Sequence, residues 1–230
     1  MIRNRAAAPV PACWSVLRFV PLVLLASASF SNPLFGQSDT ELTAPPEPFE
    51  MEIFGAGPYQ EMSALLEVTI LNIDVLMLTI GVGPETAARL QAVTEGHVEY
   101  SDELADSVAA VMLDVDNAWA RQVFKRGVGL GRLTDGMRET SEKAAAAGFV
   151  SREYADEFAA NLPIWFGFLE EEDGAKEGDA IYFRVQGDEV RTVYRTVDGR
   201  VLMDEVGVSA EGRRGSIPSF FAPDTRFRKR

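Results

Sequence analysis

The stretch AIYFRVQGDEVRTVYRTVDGRVLMDEV, residues 180–206, decides the fold. Ile181, Phe183 and Val185 alternate with Tyr182, Arg184 and Gln186. A period of two places one set of side chains on a core and the other set on the outside of an extended strand. Gly187-Asp188 and Asp198-Gly199 interrupt the alternation. Both are dipeptides that turn an antiparallel hairpin, since glycine takes the positive φ such turns demand. The stretch therefore reads as three strands of an antiparallel meander with one side on a core.

Working outward, LLEVTILNIDVLMLTIGV, residues 65–82, is dense in β-branched and long apolar residues. It predicts one long strand, partly buried on both faces, that ends at Gly81, Gly83 and Pro84. Pro84 suits the first turn of a helix over 85–94. The GVGP turn lacks the lysine of a phosphate loop, which argues against nucleotide binding. Ser101 caps a helix whose first turn carries Asp102 and Glu103, where the helix dipole favours acids. Leu104, Val108, Val111, Met112 and Val115 form its apolar face. A strand over 118–126 leads to a helix over 130–147, with Leu133, Met137, Ala144 and Ala147 inward and Gly148 as its stop. Ser151 caps a further helix, which Pro163 is expected to break or restart. The apolar IWFGFL segment after it, residues 164–169, must be buried. The fold class is α+β: an antiparallel sheet with a layer of helices on one face.

The N-terminus reads as a secretory signal. Arg3, Arg5 and Arg18 precede the apolar run FVPLVLLASA, residues 19–28, and Ala26, Ser27 and Ala28 supply a small-residue cleavage site. The run is well short of the ~20 residues that span a bilayer, so no stable membrane span is expected after cleavage near residue 28. Residues 1–30 are thus a signal peptide. Residues 31–50, with Asn32-Pro33, Pro45-Pro46 and Pro48, are a linker, and 51–230 form one domain. The product is expected outside the cytoplasm, in the periplasm or beyond the cell. From residue 31 onward 19 basic residues face 35 acidic ones, a balance that argues against nucleic acid and anionic membrane as partners. Cys13 lies inside the signal, so the mature chain carries no thiol chemistry, disulfide or cysteine metal site.

Candidate chemistry is sparse. His97 is the single histidine, which leaves little from which to build a triad or a multi-histidine metal centre, and it reads as a loop residue. Glu170, Glu171, Glu172 and Asp173 are adjacent, without the spacing that wraps a calcium ion. Asp114 and Asp116 are two apart and face different directions on a helix. No metal, cofactor or catalytic residue is assigned. The aromatic residues Trp119, Phe124, Trp165, Phe166, Phe168, Tyr182, Phe183 and Tyr194 lie where sheet packs on helix. They form either a filled core or the walls of a partly hollow one that holds an apolar ligand.

Several segments in order resemble the chalcone isomerase-like family, in its bacterial exported branch. They are GAGPY at 55–59, FKRGV at 124–128, RLTDGM at 132–137, LPIWF at 162–166, KEGDAIYF at 176–183 and SFFAPDTRFR at 219–228. The resemblance covers residues 50–228 and implies an open sandwich, with a ligand cleft between the sheet and its helices. It also implies what is missing. Catalytic members steady a forming enolate with an arginine and a network of hydroxyls and water, and such stabilisation is often the dominant catalytic effect. By the resemblance, the arginine's place holds Tyr59 and the threonine's holds Leu71. The tyrosine's place holds Leu133 and the asparagine's holds Thr140. No arginine lies between Arg18 and Arg89. Arg126 matches an arginine of the family, with Gly127 replacing the usual acid, and a structural salt bridge is its implied role. Fatty-acid-binding relatives use the same absent arginine.

The resulting expectation is a non-catalytic domain that binds a small apolar molecule, with Tyr59, Leu71, Leu133, Thr140 and Arg126 as its ligand-binding residues. Two alternatives stand beside it. One is an isomerase or lyase with a non-standard site, using Tyr59 as acid and Arg126 or Arg132 as cation. The other is an interaction module docking through its acidic surface or the basic tail RFRKR, 226–230, although a solvated terminus is the ordinary reading of that tail.

Overall fold

The computed structural model describes residues 48–55, 57–67, 74–97, 99–225 and 228. Six strands make one antiparallel sheet in sequence order: β1 (Gln60–Glu67), β2 (Asp74–Val82), β3 (Asn117–Phe124), β4 (Ala180–Gln186), β5 (Glu189–Arg195) and β6 (Val201–Val208). The α+β class expected from the sequence is what the structure shows. The meander falls where its alternation placed it, with Gly187 and Gly199 at positive φ in its two turns.

Residues 65–82 are not one strand. They belong to two antiparallel partners, β1 and β2, with Leu66 opposite Leu76. A strand crossing the whole run would leave Asn72 and Asp74 inside an apolar ladder. One strand ends at Glu67 and the next starts at Asp74.

One face of the sheet carries the helical layer. Leu78, Ile80, Val82, Ala118, Ala120 and Val185 pack there against Leu104, Val108 and Met112 of α3 (Asp102–Leu113). Half-buried Ala87, Leu90 and Val93 of α2 (Pro84–Thr94) join them. Ser101 caps α3 by accepting a hydrogen bond from Leu104 N at 3.1 Å. The other half of this face lies under α4 (Leu130–Ala146), α5 (Arg152–Trp165) and the short α6 (Phe168–Glu171). On α4, Ala147 is exposed rather than inward, since it is already the C-cap. Ser151 caps α5 through Tyr154 N at 3.1 Å. The helix runs through Pro163 and ends at Trp165, so the proline sits in the last turn, where only a short stretch of helix remains to be disrupted. The chain closes with α7 (Ala210–Gly215) and a 3₁₀ turn (Ile217–Phe221) that plugs the α2–α3 side through Ile217 and Phe220.

The opposite face has a cover of its own. α1 (Pro48–Phe54) begins inside the stretch read as linker and lays Ile53 and Phe54 against Trp119, Tyr182 and Val193. Phe54 stacks on the Trp119 indole with centroids 4.1 Å apart, and Tyr59 meets the indole edge-on at 6.3 Å. Gly81 lies directly across the ladder from Trp119, and a Cβ there would come within 2.2 Å of the indole. Buried Glu50 takes Arg121 at 2.6 Å, Arg191 holds Asp204 with two hydrogen bonds of 2.7 and 2.8 Å, and Arg195 lies 4.5 Å over the Phe49 ring.

The basic tail is partly docked. Arg228 is 9% exposed at its side chain and reaches Asp106 at 2.5 Å and the Asp102 carbonyl at 3.2 Å on α3. The rest of RFRKR lies outside the described residues.

Candidate functional site

On the helical face, α4 and α5 do not fill the space above the sheet. Toward its C-terminal half α4 presents Thr140 and Ser141 in place of further long apolar residues, and a cleft of about 1320 Å³ remains. Its sheet wall comes from β2 to β6, its roof from α4 and α5, and one end from α7 and the 3₁₀ turn. Leu76, Phe124, Phe183 and Met203 make the sheet wall apolar, with Leu133 and Met137 of α4 opposite.

Along α5 the lining is aromatic. Tyr154 stacks on Phe158 at 6.2 Å and Phe158 meets Trp165 edge-on at 5.6 Å, a stripe that follows the helical repeat. Trp165 ends this stripe 41% exposed, so the aromatic reading of a sealed core fails at that residue. The Tyr154 ring rests on Gly215, where a Cβ would approach its Cε1 to 2.6 Å. Burial, reinforced by the carboxylates of Glu211 and Glu157, pushes its phenol up to about 12. Tyr154 therefore stays protonated, with its hydroxyl beside Gly212 and Gly215 of α7.

The sharpest departure from an apolar wall is Gln122. Its place in the ladder, between Leu78 on β2 and Ile181 on β4, puts its side chain on the helical face. It lines the cleft, is 6% exposed, and receives no hydrogen bond from any described residue. Ser141, equally buried on α4, likewise has no hydrogen-bond partner among the described residues. Sequence reasoning passed over both. The signal for Gln122 was present: it stands on the apolar side of its strand, between Ala120 and Phe124.

Charge gathers on this site unevenly. Asp135, Glu139, Glu157, Glu205 and Glu211 line the cleft. Lys143 also lines it, tied to Glu139 at 2.6 Å and to the Asp224 carbonyl at 2.8 Å. Arg132 is exposed on the first turn of α4 and has no ion pair among the described residues.

The residues named from the sequence scatter. Leu133 and Thr140 line the cleft. Tyr59 does not: it precedes β1 on the opposite face, donates to the Phe54 carbonyl at 2.8 Å, and burial there raises its phenol above the ordinary value. Its side chain follows the pleat, and the pleat at that point faces α1. Arg126 is exposed two residues beyond β3, outside the cleft, and forms no ion pair among the described residues. Leu71 lies outside the described residues.

Elsewhere, His97 is exposed in the turn after α2. Glu172, from the acidic run, binds Arg200 through both oxygens at 2.8 and 3.1 Å. Among the described residues no group of three His, Cys, Asp or Glu side chains is placed to hold a metal ion, and no helix is long and apolar enough to cross a membrane.

No family model matches the chain, and no curated protein does. Among solved structures it is similar to a fatty-acid binding protein of Arabidopsis thaliana, at 13% identity and a TM-score of 0.47, over 72% of this chain and 84% of that one. A likeness of that degree assigns neither family nor ligand.

Proposed function

We propose that the chain is an exported, non-catalytic member of the chalcone isomerase-like family that holds a small apolar ligand between its sheet and helices. The observation that carries this reading is the cleft itself. Its size is above the usual range for small-molecule sites, its walls are mainly apolar and aromatic, and a few polar groups converge on it. The ordered motifs of the sequence support the family, and the N-terminal signal supports export. The absence of catalysis rests on the cations: Lys143 is already engaged by Glu139, and Arg132 stands at an exposed position in water, where an ion pair gains little.

The test is a titration of the delipidated chain with Nile red, an uncharged apolar fluorophore. Saturable binding at one site is expected, together with at least a tenfold loss of affinity in Leu133→Trp, which puts an indole into the cleft. Failure to saturate would remove the ligand claim.

A second reading has one observation in its favour. Arg132 and Tyr154 line the same cleft, a cation and an acid of the kind an isomerase or lyase needs. Turnover of a chalcone-type enone that disappears in Arg132→Ala would establish it over the first.

A further inference from the structure

The cleft is apolar in its depth and acidic around its rim, and these two properties select different things. A ligand's apolar body is accepted by Leu76, Phe124, Phe183 and the α5 aromatic stripe. What remains to be matched is the amide of Gln122, a residue only 6% exposed that stands in the sheet wall between Leu78 and Ile181, and the hydroxyl of Ser141, which lines the same cleft from α4. Glutamine presents a donor and an acceptor together, with no net charge.

A carboxylate head would meet two obstacles. The five acids of the lining oppose its approach, and neither Glu157 nor Glu205 has an ion-pair partner among the described residues. At the depth of Gln122 it would also lose its water without gaining a cation, the costliest way to bury a charge, because Arg132, the cation of the lining without an ion pair among the described residues, is exposed on the first turn of α4. Lys143 is occupied by Glu139 and by a backbone carbonyl. A cationic head would be attracted to the rim, yet it too would be stripped of water beside Gln122. Only an uncharged head satisfies both depth and rim.

We infer that this site selects an uncharged amphiphile, a molecule with a long apolar body and a hydroxyl or amide head that pairs with Gln122, and discriminates against fatty carboxylates. The inference rests on the reading of the cleft as a ligand site and names the ligand's chemical class.

The experiment displaces Nile red from the full chain at pH 8 with three ten-carbon competitors: 1-decanol, decanoate and decyltrimethylammonium. Decanol is expected to displace at a concentration at least tenfold below that of either charged competitor. In Gln122→Met, checked for a cooperative thermal melt, that advantage is expected to fall at least fivefold. Decanoate or the ammonium ion displacing as well as decanol, or a preference for decanol untouched in Gln122→Met, would overturn the inference and leave cleft binding intact. Nile red that never saturates removes both. The ranking in the unmodified chain decides the question on its own should Gln122→Met fail to fold.

Discussion

The two faces of the sheet are covered in opposite ways. One carries α1, only seven residues long, and its large groups are engaged: indole by phenyl, guanidinium by carboxylate, phenol by carbonyl, although the Nε atoms of Arg121 and Arg184 are buried there without a hydrogen-bond partner. The other carries α4 and α5, with 17 and 14 residues, and encloses a cleft with an unpaired amide in its wall. The length of the covering helix does not decide how well a face is packed. The bulk of the side chains it turns inward does. Phe49, Ile53 and Phe54 of α1 are large, whereas Thr140 and Ser141 of α4 are small.

If that contrast is right, the α1 face is where truncation hurts most. Trp119→Ala should cost about 4 kcal/mol, a typical loss for removing a buried indole. Chemical denaturation would read it, and a loss below about 1 kcal/mol would mean that the face is not tightly packed. Glu50→Ala strands Arg121 and should cost about 2 kcal/mol, less than a fully buried pair because the guanidinium keeps some water.

On the cleft side the sign reverses. Gln122→Met replaces an amide without a protein partner by an apolar side chain of similar length and should hold or raise Tm, by no more than roughly 2 °C for a domain of this size. A fall in Tm would show that Gln122 is a structural element and erase the asymmetry between the faces. The smallest effect is electrostatic and belongs to the outer edge of the α1 face. Hydrogen bonding to Arg191 holds the Asp204 carboxyl below its ordinary range. Its contribution is therefore present above that range and is lost as pH falls through the lowered value. Asp204→Asn should cost a few tenths of a kcal/mol at pH 7, and the two melting curves should converge at strongly acid pH.

Legibility in the sequence followed the same division. The meander could be read because its alternation and its glycine turns are local signals, and the Ser101 and Ser151 caps for the same reason. The division into β1 and β2 could not, since no glycine or proline stands between Glu67 and Asp74 and the polar residues there are scattered singly through an apolar run. α1 was hidden by its prolines, which suggested a linker, although Pro48 at a helix start with Phe49, Ile53 and Phe54 behind it is a helical pattern. Within the site, Leu133 and Thr140 came from the resemblance, while Gln122 and Tyr154 did not. A strand position two residues from its neighbour reports which face it occupies, but not whether the helix above leaves room. That space is a property of α4 and the sheet jointly, and no single segment encodes it.

The approach of Gly81 to the Trp119 indole has a consequence for how such chains diverge. As long as the indole lies across that residue, no side chain fits there, and once a smaller group stands at 119 the reason for glycine disappears. The two sites should therefore drift as a pair in descendants of this chain, each change costly to the fold alone and tolerable in company.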